Sequence, residues 1–198
     1  LATRLPGVVM DAPVILRGAL TGLLALPTTK TSIGKVFQDR AARYGDRVFI
    51  RFGDEKVTYS EANETANRYA AVLAEKGVRH GDGGGLMRRR SPGAGRMTRA
   101  DLSEHITESG AEVSELVTLE DFRQQAVGKP TANPRSASQV QARDTAFYIF
   151  TSGTTGHPKA SVMTHHRWLR ALAAFGGLGL RLKADDTLYC PLPLYHNN

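Results

Sequence analysis

Apolar residues in this chain change their spacing several times, and each change marks an element. Arg47–Phe52 and Glu55–Tyr59 alternate around Gly53-Asp54. Alternation puts every second side chain on one face, and a Gly-Asp pair suits a two-residue turn, so the stretch predicts a β-hairpin. Ser60 then offers a cap. Ala62, Ala66, Tyr69, Ala70 and Leu73 fall at helical spacing and predict a helix over about 61–76. Gly77 follows as the residue able to end it in a left-handed conformation. Upstream, residues 12–26 predict an apolar helix, capped by Asp11, with Pro13 in its first turn and Pro27 ending it. Leu16, Leu20, Leu23 and Leu24 share one face. The stretch is too short to span a bilayer and contains Arg17, and no small-residue cleavage site follows it. Two readings stay open: a helix packed on its domain, or one lying in a membrane surface.

The second half alternates strand and helix. Ala111–Leu119 is expected to include a strand, and the polar, proline-containing Gly128–Gln139 a linker. Asp144–Thr151 predicts a strand, Ser152–Lys159 a loop and Ala160–Met163 a returning strand. Thr164 caps a helix from His165 to about Phe175, ended by Gly176-Gly177. Trp168, Leu172 and Phe175 form its inner stripe, which makes Trp168 core. Thr187–Leu192 predicts a further strand with Cys190 buried on it, delivering Tyr195 and His196 at its end. The pattern is α/β, and ligands of open α/β sheets gather outside the carboxyl ends of strands.

Residues 83–100 break every period. Gly83-Gly84-Gly85, Arg88-Arg89-Arg90 and Ser91-Pro92-Gly93-Ala94-Gly95 contain no core-forming run, so the stretch is expected to be irregular. It separates residues 1–82, with helices, hairpin and scaffold helix, from the α/β segment 101–198.

The candidate chemistry lies in the loop. Thr151-Ser152-Gly153-Thr154-Thr155-Gly156-His157-Pro158-Lys159-Ala160 follows the apolar Ala146-Phe147-Tyr148-Ile149-Phe150. Gly153 and Gly156 permit close backbone approach, successive N–H groups can form an anion-binding nest, and Ser152, Thr154 and Thr155 add hydroxyl donors. Lys159 adds a mobile positive charge. A plain Ser/Thr/Gly turn would be shorter and chemically mixed. The Walker A pattern is excluded, because it needs four residues between its glycines and then Gly-Lys-Ser/Thr.

Tyr148–Ala160 closely resembles the phosphate-loop signature of the adenylate-forming enzymes, which include acyl-CoA synthetases, peptide-synthetase adenylation domains and luciferases. Pro193-Leu194-Tyr195-His196-Asn197-Asn198 is similar to a second family motif, and Val57-Thr58-Tyr59-Ser60-Glu61-Ala62 with Ala66-Asn67-Arg68 resembles the N-terminal signature. With Met163–Trp168, the set looks most like the very-long-chain acyl-CoA synthetase and fatty-acid-transport-protein branch. The resemblance covers about residues 30–82 and 101–198. It implies an incomplete N-terminal domain of the adenylate-forming fold, and a long-chain fatty-acid–CoA ligase. Such an enzyme uses ATP, Mg2+ and coenzyme A to make an acyl-adenylate and then a thioester. It further implies that Thr151, Ser152, Gly153, Thr154, Thr155, Gly156 and Lys159 hold the ATP phosphates, with Lys159 catalytic. Tyr195 and His196 would line the adenylate and acyl pocket; the plain alternative for His196 is a satisfied surface or core histidine. The family's catalytic chain continues past this motif to adenine- and ribose-binding residues and a lysine-bearing C-terminal domain. This chain alone is therefore expected to be inactive, with a degenerate remnant as the alternative. Within 83–100 the resemblance implies a strand, a helix and a strand that the sequence lacks. A shortened, frame-shifted junction ranks first there, an ordinary basic loop second and a basic binding patch third.

Charge and cysteine adjust this picture slightly. The net charge of +7 owes much to Arg88, Arg89, Arg90, Arg96 and Arg99. No aromatic residue interleaves them, so no specific nucleic acid is expected. A single cysteine, Cys190, excludes an internal disulfide and suits a reducing cytosol. The expected setting is cytoplasmic, with peripheral membrane contact through 12–26. The six histidines show no metal-ligand spacing.

Overall fold

Where the chain's helices start is decided by which side chain can close the first orphan amides. The structure, a computed structural model, describes residues 26–82, 117–151, 159–183 and 186–190, and only the backbone of Phe150, Thr151, Lys159 and Leu178. The expectations for 12–25, 83–100, 111–116, 152–158 and 191–198 fall outside it, Tyr195 and His196 included. The chain divides into two units, one built from segments on either side of the other: residues up to Arg43 with those from Arg135 onward, and Tyr44–Pro134.

In the Tyr44–Pro134 unit, β1 (Val48–Phe52) and β2 (Glu55–Thr58) form the expected antiparallel hairpin, with Phe52 opposite Glu55. Gly53 takes φ +58° in the turn, a conformation that a side chain would strain. The register slips between Val48 and Ile50, which makes Phe49 the extra residue of a bulge. Its ring lies 4.8 Å from Tyr59, which also meets Tyr44 at 6.1 Å.

Helix α2 runs Tyr59–Glu75. Its cap is Thr58, not Ser60. Thr58 Oγ1 accepts the Glu61 N–H at 3.2 Å, and the Glu61 carboxylate accepts the Thr58 N–H at 2.7 Å. This capping box needs an acid three residues after the cap, which Thr58 has and Ser60, followed by Asn63, does not. The same bonds from Thr58 hold the Glu61 carboxyl below its ordinary range. Gly77 ends the helix at φ +81°, as its sequence position implies.

Helix α3 (Leu119–Ala126) starts from Thr118, whose hydroxyl accepts the Asp121 N–H at 3.1 Å. Leu119 therefore belongs to a helix rather than a strand, because Thr118 with acids at 120 and 121 makes a strong helix start. Tyr69 on α2 stacks on Phe122 of α3 at 5.3 Å. Buried Asn67 donates to Thr131 O at 2.6 Å and to Asn133 Oδ1 at 2.8 Å, and Asn63 donates to the same oxygen at 2.9 Å. These bonds clasp the segment after α3 onto α2.

In the other unit, α1 (Ile33–Tyr44, its last residue crossing the boundary) was not anticipated. The Gly128–Gln139 linker ends in a 3-10 turn at Arg135–Ser138. Strands β3 (Thr145–Thr151) and β4 (Lys159–Thr164) pair antiparallel, as the strand-loop-strand pattern implies. Helix α4 spans His165–Leu172 from a Thr164 cap. It does not stop at Gly176-Gly177 but widens into a π-helix over Ala173–Gly179, with the Leu180 N–H reaching Phe175 O at 2.8 Å. The supposed inner stripe is not buried as a whole: Trp168 meets Phe147 edge-on at 5.3 Å, but Leu172 at the end of α4 and Phe175 in the π-helical turn are exposed. Residues 186–190 form no strand and Cys190 is exposed. Apolar spacing supplies propensity, but a strand also needs a partner ladder, and the described sheets are two isolated pairs. Among the described residues no helix is long and apolar enough to cross a membrane.

The buried apolar side chains among the described residues are few: Ala41, Val72, Ala126 and Ala142. Val72 is the one large side chain fully buried among the described residues. Val72→Ala is expected to cost about 2 kcal/mol, the transfer of the lost methyls plus the cavity. Val127→Ala, at an exposed position, should stay within about 0.5 kcal/mol. Urea unfolding of the two variants checks this, and equal costs would mean that Val72 is not a core residue.

Candidate functional site

The phosphate-loop residues are presented by β3 and β4. Phe147 pairs with Met163, Tyr148 with Val162, Ile149 with Ser161, Phe150 with Ala160 and Thr151 with Lys159. Thr151 and Lys159, the two outer residues of the predicted loop, thus stand opposite each other on adjacent strands. The seven residues between them lie outside the described residues. Of the predicted site set, these two are brought together; Tyr195 and His196 cannot be placed beside them.

The other end of the pair is locked by backbone bonds. The register slips between Thr145 and Phe147, leaving Ala146 as a bulge that adds twist to β3. Below it, the Ala142 N–H donates to Thr29 O at 2.9 Å and the Arg143 N–H to Pro27 O at 2.8 Å. The first amides of α4 are then consumed: His165 N–H by Asp144 O at 3.1 Å, His166 N–H by Ala142 O at 2.6 Å, and Arg167 N–H by Thr164 Oγ1 at 3.2 Å. Helix starts leave such donors orphaned unless something accepts them. Ala142 sits at the centre with no exposed surface. Arg167 reaches back with its guanidinium to Val162 O at 2.7 Å and ties α4 to the strand it follows.

His165 extends the lock to α1. Its Nδ1 accepts the Ile33 N–H at 3.3 Å, and Ser32 Oγ accepts the Lys35 N–H at 3.0 Å. Burial holds the imidazole below its ordinary range, and the Asp144 carboxylate pulls weakly the other way. Sequence reasoning missed His165. Its one visible signal was a histidine directly after the Thr164 cap. Among the described residues, no group of three His, Cys, Asp or Glu side chains could hold a metal ion.

A family model for the AMP-binding enzymes matches residues 37–94 and 96–198. The chain belongs to the AMP-binding enzyme family. Among curated AMP-binding relatives, the medium/long-chain-fatty-acid–CoA ligase FadD6 of Mycobacterium tuberculosis is 55% identical over 238 aligned positions, covering 100% of this chain and 40% of that protein. Human long-chain fatty acid transport protein 1 is 56% identical over 54 residues, covering 27% of the chain and 8% of that protein. Tyrocidine synthase 2 of Brevibacillus parabrevis is 32% identical over 174 residues, covering 72% of the chain and 5% of that protein. The chain thus spans well under half the length of the relatives it matches. Among solved structures, the Klebsiella oxytoca NpsA N-terminal subdomain aligns with TM-score 0.50 and 21% identity, over 75% of this chain and 45% of that one. The shared fold is that of an incomplete N-terminal subdomain of an adenylate-forming enzyme, as the motifs implied.

Trp168, the chain's one tryptophan, reports on this hairpin through Phe147. Phe147→Ala is expected to cost about 2 kcal/mol, less than a fully buried ring would, and to red-shift Trp168 emission. Unchanged emission would mean that the two rings do not pack in solution.

Proposed function

We propose that this chain supplies the phosphate-binding part of a fatty-acid–CoA ligase. The observation that carries the reading is the hydroxyl- and glycine-rich sequence 151–159 closed by a strand pair, in a chain 55% identical to a medium/long-chain-fatty-acid–CoA ligase. In that reaction a fatty carboxylate attacks the α-phosphorus of ATP, forming an acyl-adenylate and expelling pyrophosphate. The coenzyme A sulfur then attacks the acyl carbon and AMP leaves. The loop's task would be to hold the departing β- and γ-phosphates. Backbone N–H groups around Gly153 and Gly156, the hydroxyls of Thr151, Ser152, Thr154 and Thr155, and the Lys159 ammonium are the donors. Mg2+ binds such sites largely through substrate phosphates with few protein ligands, and the loop hydroxyls fit that role. Tyr195 and His196 would wall the adenylate and acyl pocket. His196 need not be a base, since a carboxylate arrives ionised.

In a polypeptide of ligase length, Lys159→Ala should lose a charge-assisted contact of roughly 1.5–3 kcal/mol, slowing adenylation about ten- to a hundred-fold. Thr155→Val should slow it less, as a neutral contact. Pyrophosphate release measures both, and wild-type rates for Lys159→Ala would remove the loop from the mechanism.

A second reading, a non-catalytic remnant that binds phosphate weakly or not at all, is favoured by one observation. The alignment to the ligase runs over 238 positions against 198 residues here, a difference of 40, and the family match breaks at residue 95 inside the Gly- and Arg-rich sequence 83–100. We read these together as a shortened junction at 83–100, which would lack sheet and helix that a working site needs, and positioning of reactants accounts for roughly 7–11 kcal/mol of such barriers. The purified 198-residue chain with ATP, Mg2+, palmitate and coenzyme A is therefore expected to form no AMP above background. Robust AMP formation that vanishes in Lys159→Ala would exclude the remnant.

A further inference from the structure

His165 occupies a position that its hydrogen bonds make sensitive to a proton. Its backbone opens α4, and its side chain closes α1, 132 residues away in sequence. The Ile33 N–H is one of the orphan donors of the α1 start, so the atom facing it must be an acceptor. Imidazole Nδ1 accepts only when it carries no proton, which fixes the neutral ring with its hydrogen on Nε2. A second proton would set donor against donor. It would also place a positive charge at a helix N-terminus, where the macrodipole already contributes partial positive charge.

The other charged or titratable groups on the elements meeting here are Lys30 before α1, Lys35, Asp39, Arg40 and Arg43 on α1, Arg143 and Asp144 before β3, Lys159 on β4, and His166, Arg167 and Arg170 on α4. Lys35 and Asp39 pair with each other, and Arg167 is engaged at Val162 O. Asp144 opposes the effect of burial without overcoming it.

We propose that His165 is a proton-sensitive positioning residue: neutral, it ties the start of α1 to the start of α4 and fixes the end of β4, and protonation releases the tie. As a device acting on nucleotide binding it rests on the loop reading given above; as a structural latch it does not. Unfolding returns the ring to an ordinary value near 6.5. The unfolded chain then takes up more protons than the folded one as pH falls through that value. The latch's contribution is full above about pH 6.5 and is lost as pH falls toward the folded-state value.

The test compares wild type, His165→Asn and His165→Leu in the full chain, with His166→Asn as the neighbouring-histidine control. Asn Oδ1 stands where Nδ1 stands and accepts at every pH. Urea midpoints, followed by Trp168 fluorescence, are taken between pH 7.5 and 5.5. Wild type and His166→Asn should fall by roughly 0.5–1 M on acidification. His165→Asn should hold its midpoint across the range. His165→Leu should show the low value throughout, and if it fails to fold, the Asn comparison decides. A His165→Asn midpoint that falls like wild type's overturns the latch. ATP affinity by equilibrium dialysis is read in parallel. Weakening of wild type several-fold at pH 5.5, absent in His165→Asn, supports positioning of the loop. Affinity that ignores pH while stability follows it overturns that positioning. Absence of ATP binding in every variant sinks the phosphate-loop reading, while the urea series still decides the latch.

Discussion

The loop-bearing strand pair depends on one constraint: the orphan amides at the start of α4, and two amides of the turn before β3, must all find acceptors where the turn around Ala142 meets Pro27 and Thr29. Asp144 O and Ala142 O take the first two amides of α4, while Ala142 and Arg143 donate to Thr29 and Pro27. Each bond is worth only about 1 kcal/mol net, but leaving a buried donor unmade costs more, so the set closes together or not at all. With Thr164 and His165 completing the two helix starts, three chain segments distant in sequence meet around the fully buried Ala142. That point sits at the base of the hairpin, and Thr151 and Lys159 stand at its tip.

The balance of forces follows from how little is buried. Val72 and three alanines make up the apolar core of the described residues, while Phe52, Tyr148, Phe175 and Tyr189 remain exposed. Among the described residues, ladders, caps and the asparagine clasp on α2 are therefore prominent beside apolar burial, which contributes about 25 cal/mol per Å2. Surface ion pairs add little: Lys129 with Glu75 is a solvated pair of the kind worth well under 1 kcal/mol.

The fold class, the hairpin around Gly53-Asp54 and the strands flanking the loop were legible because local chemistry dictates them: a glycine turn, alternation, and a run of Ser, Thr and Gly between apolar segments. The family was legible in the loop itself. Part of what was missed was visible locally, and part needed a partner far away. Thr58 outranks Ser60 through an acid three residues on, visible in the sequence as Thr-x-x-Glu. Helix α1 was equally visible, with Ser32 as cap and Ile33, Val36, Phe37 and Ala41 at helical spacing. The π-helical turn and the absence of a strand over 186–190 were not, since rotation per residue and strand pairing are settled by tertiary contacts. His165 was invisible as a cap, because its acceptor role exists only once α1 arrives beside it.

Amide hydrogen exchange resolved to single residues tests the central claim most directly. If the Ala142 junction organises the hairpin, the amides of Ala142, Arg143, His165 and His166 should exchange among the slowest in their unit, through the same opening event as the inner β3–β4 ladder. Junction amides that exchange at the rate of an unstructured peptide, while that ladder stays protected, would show that the strands stand without the lock and would contradict the account.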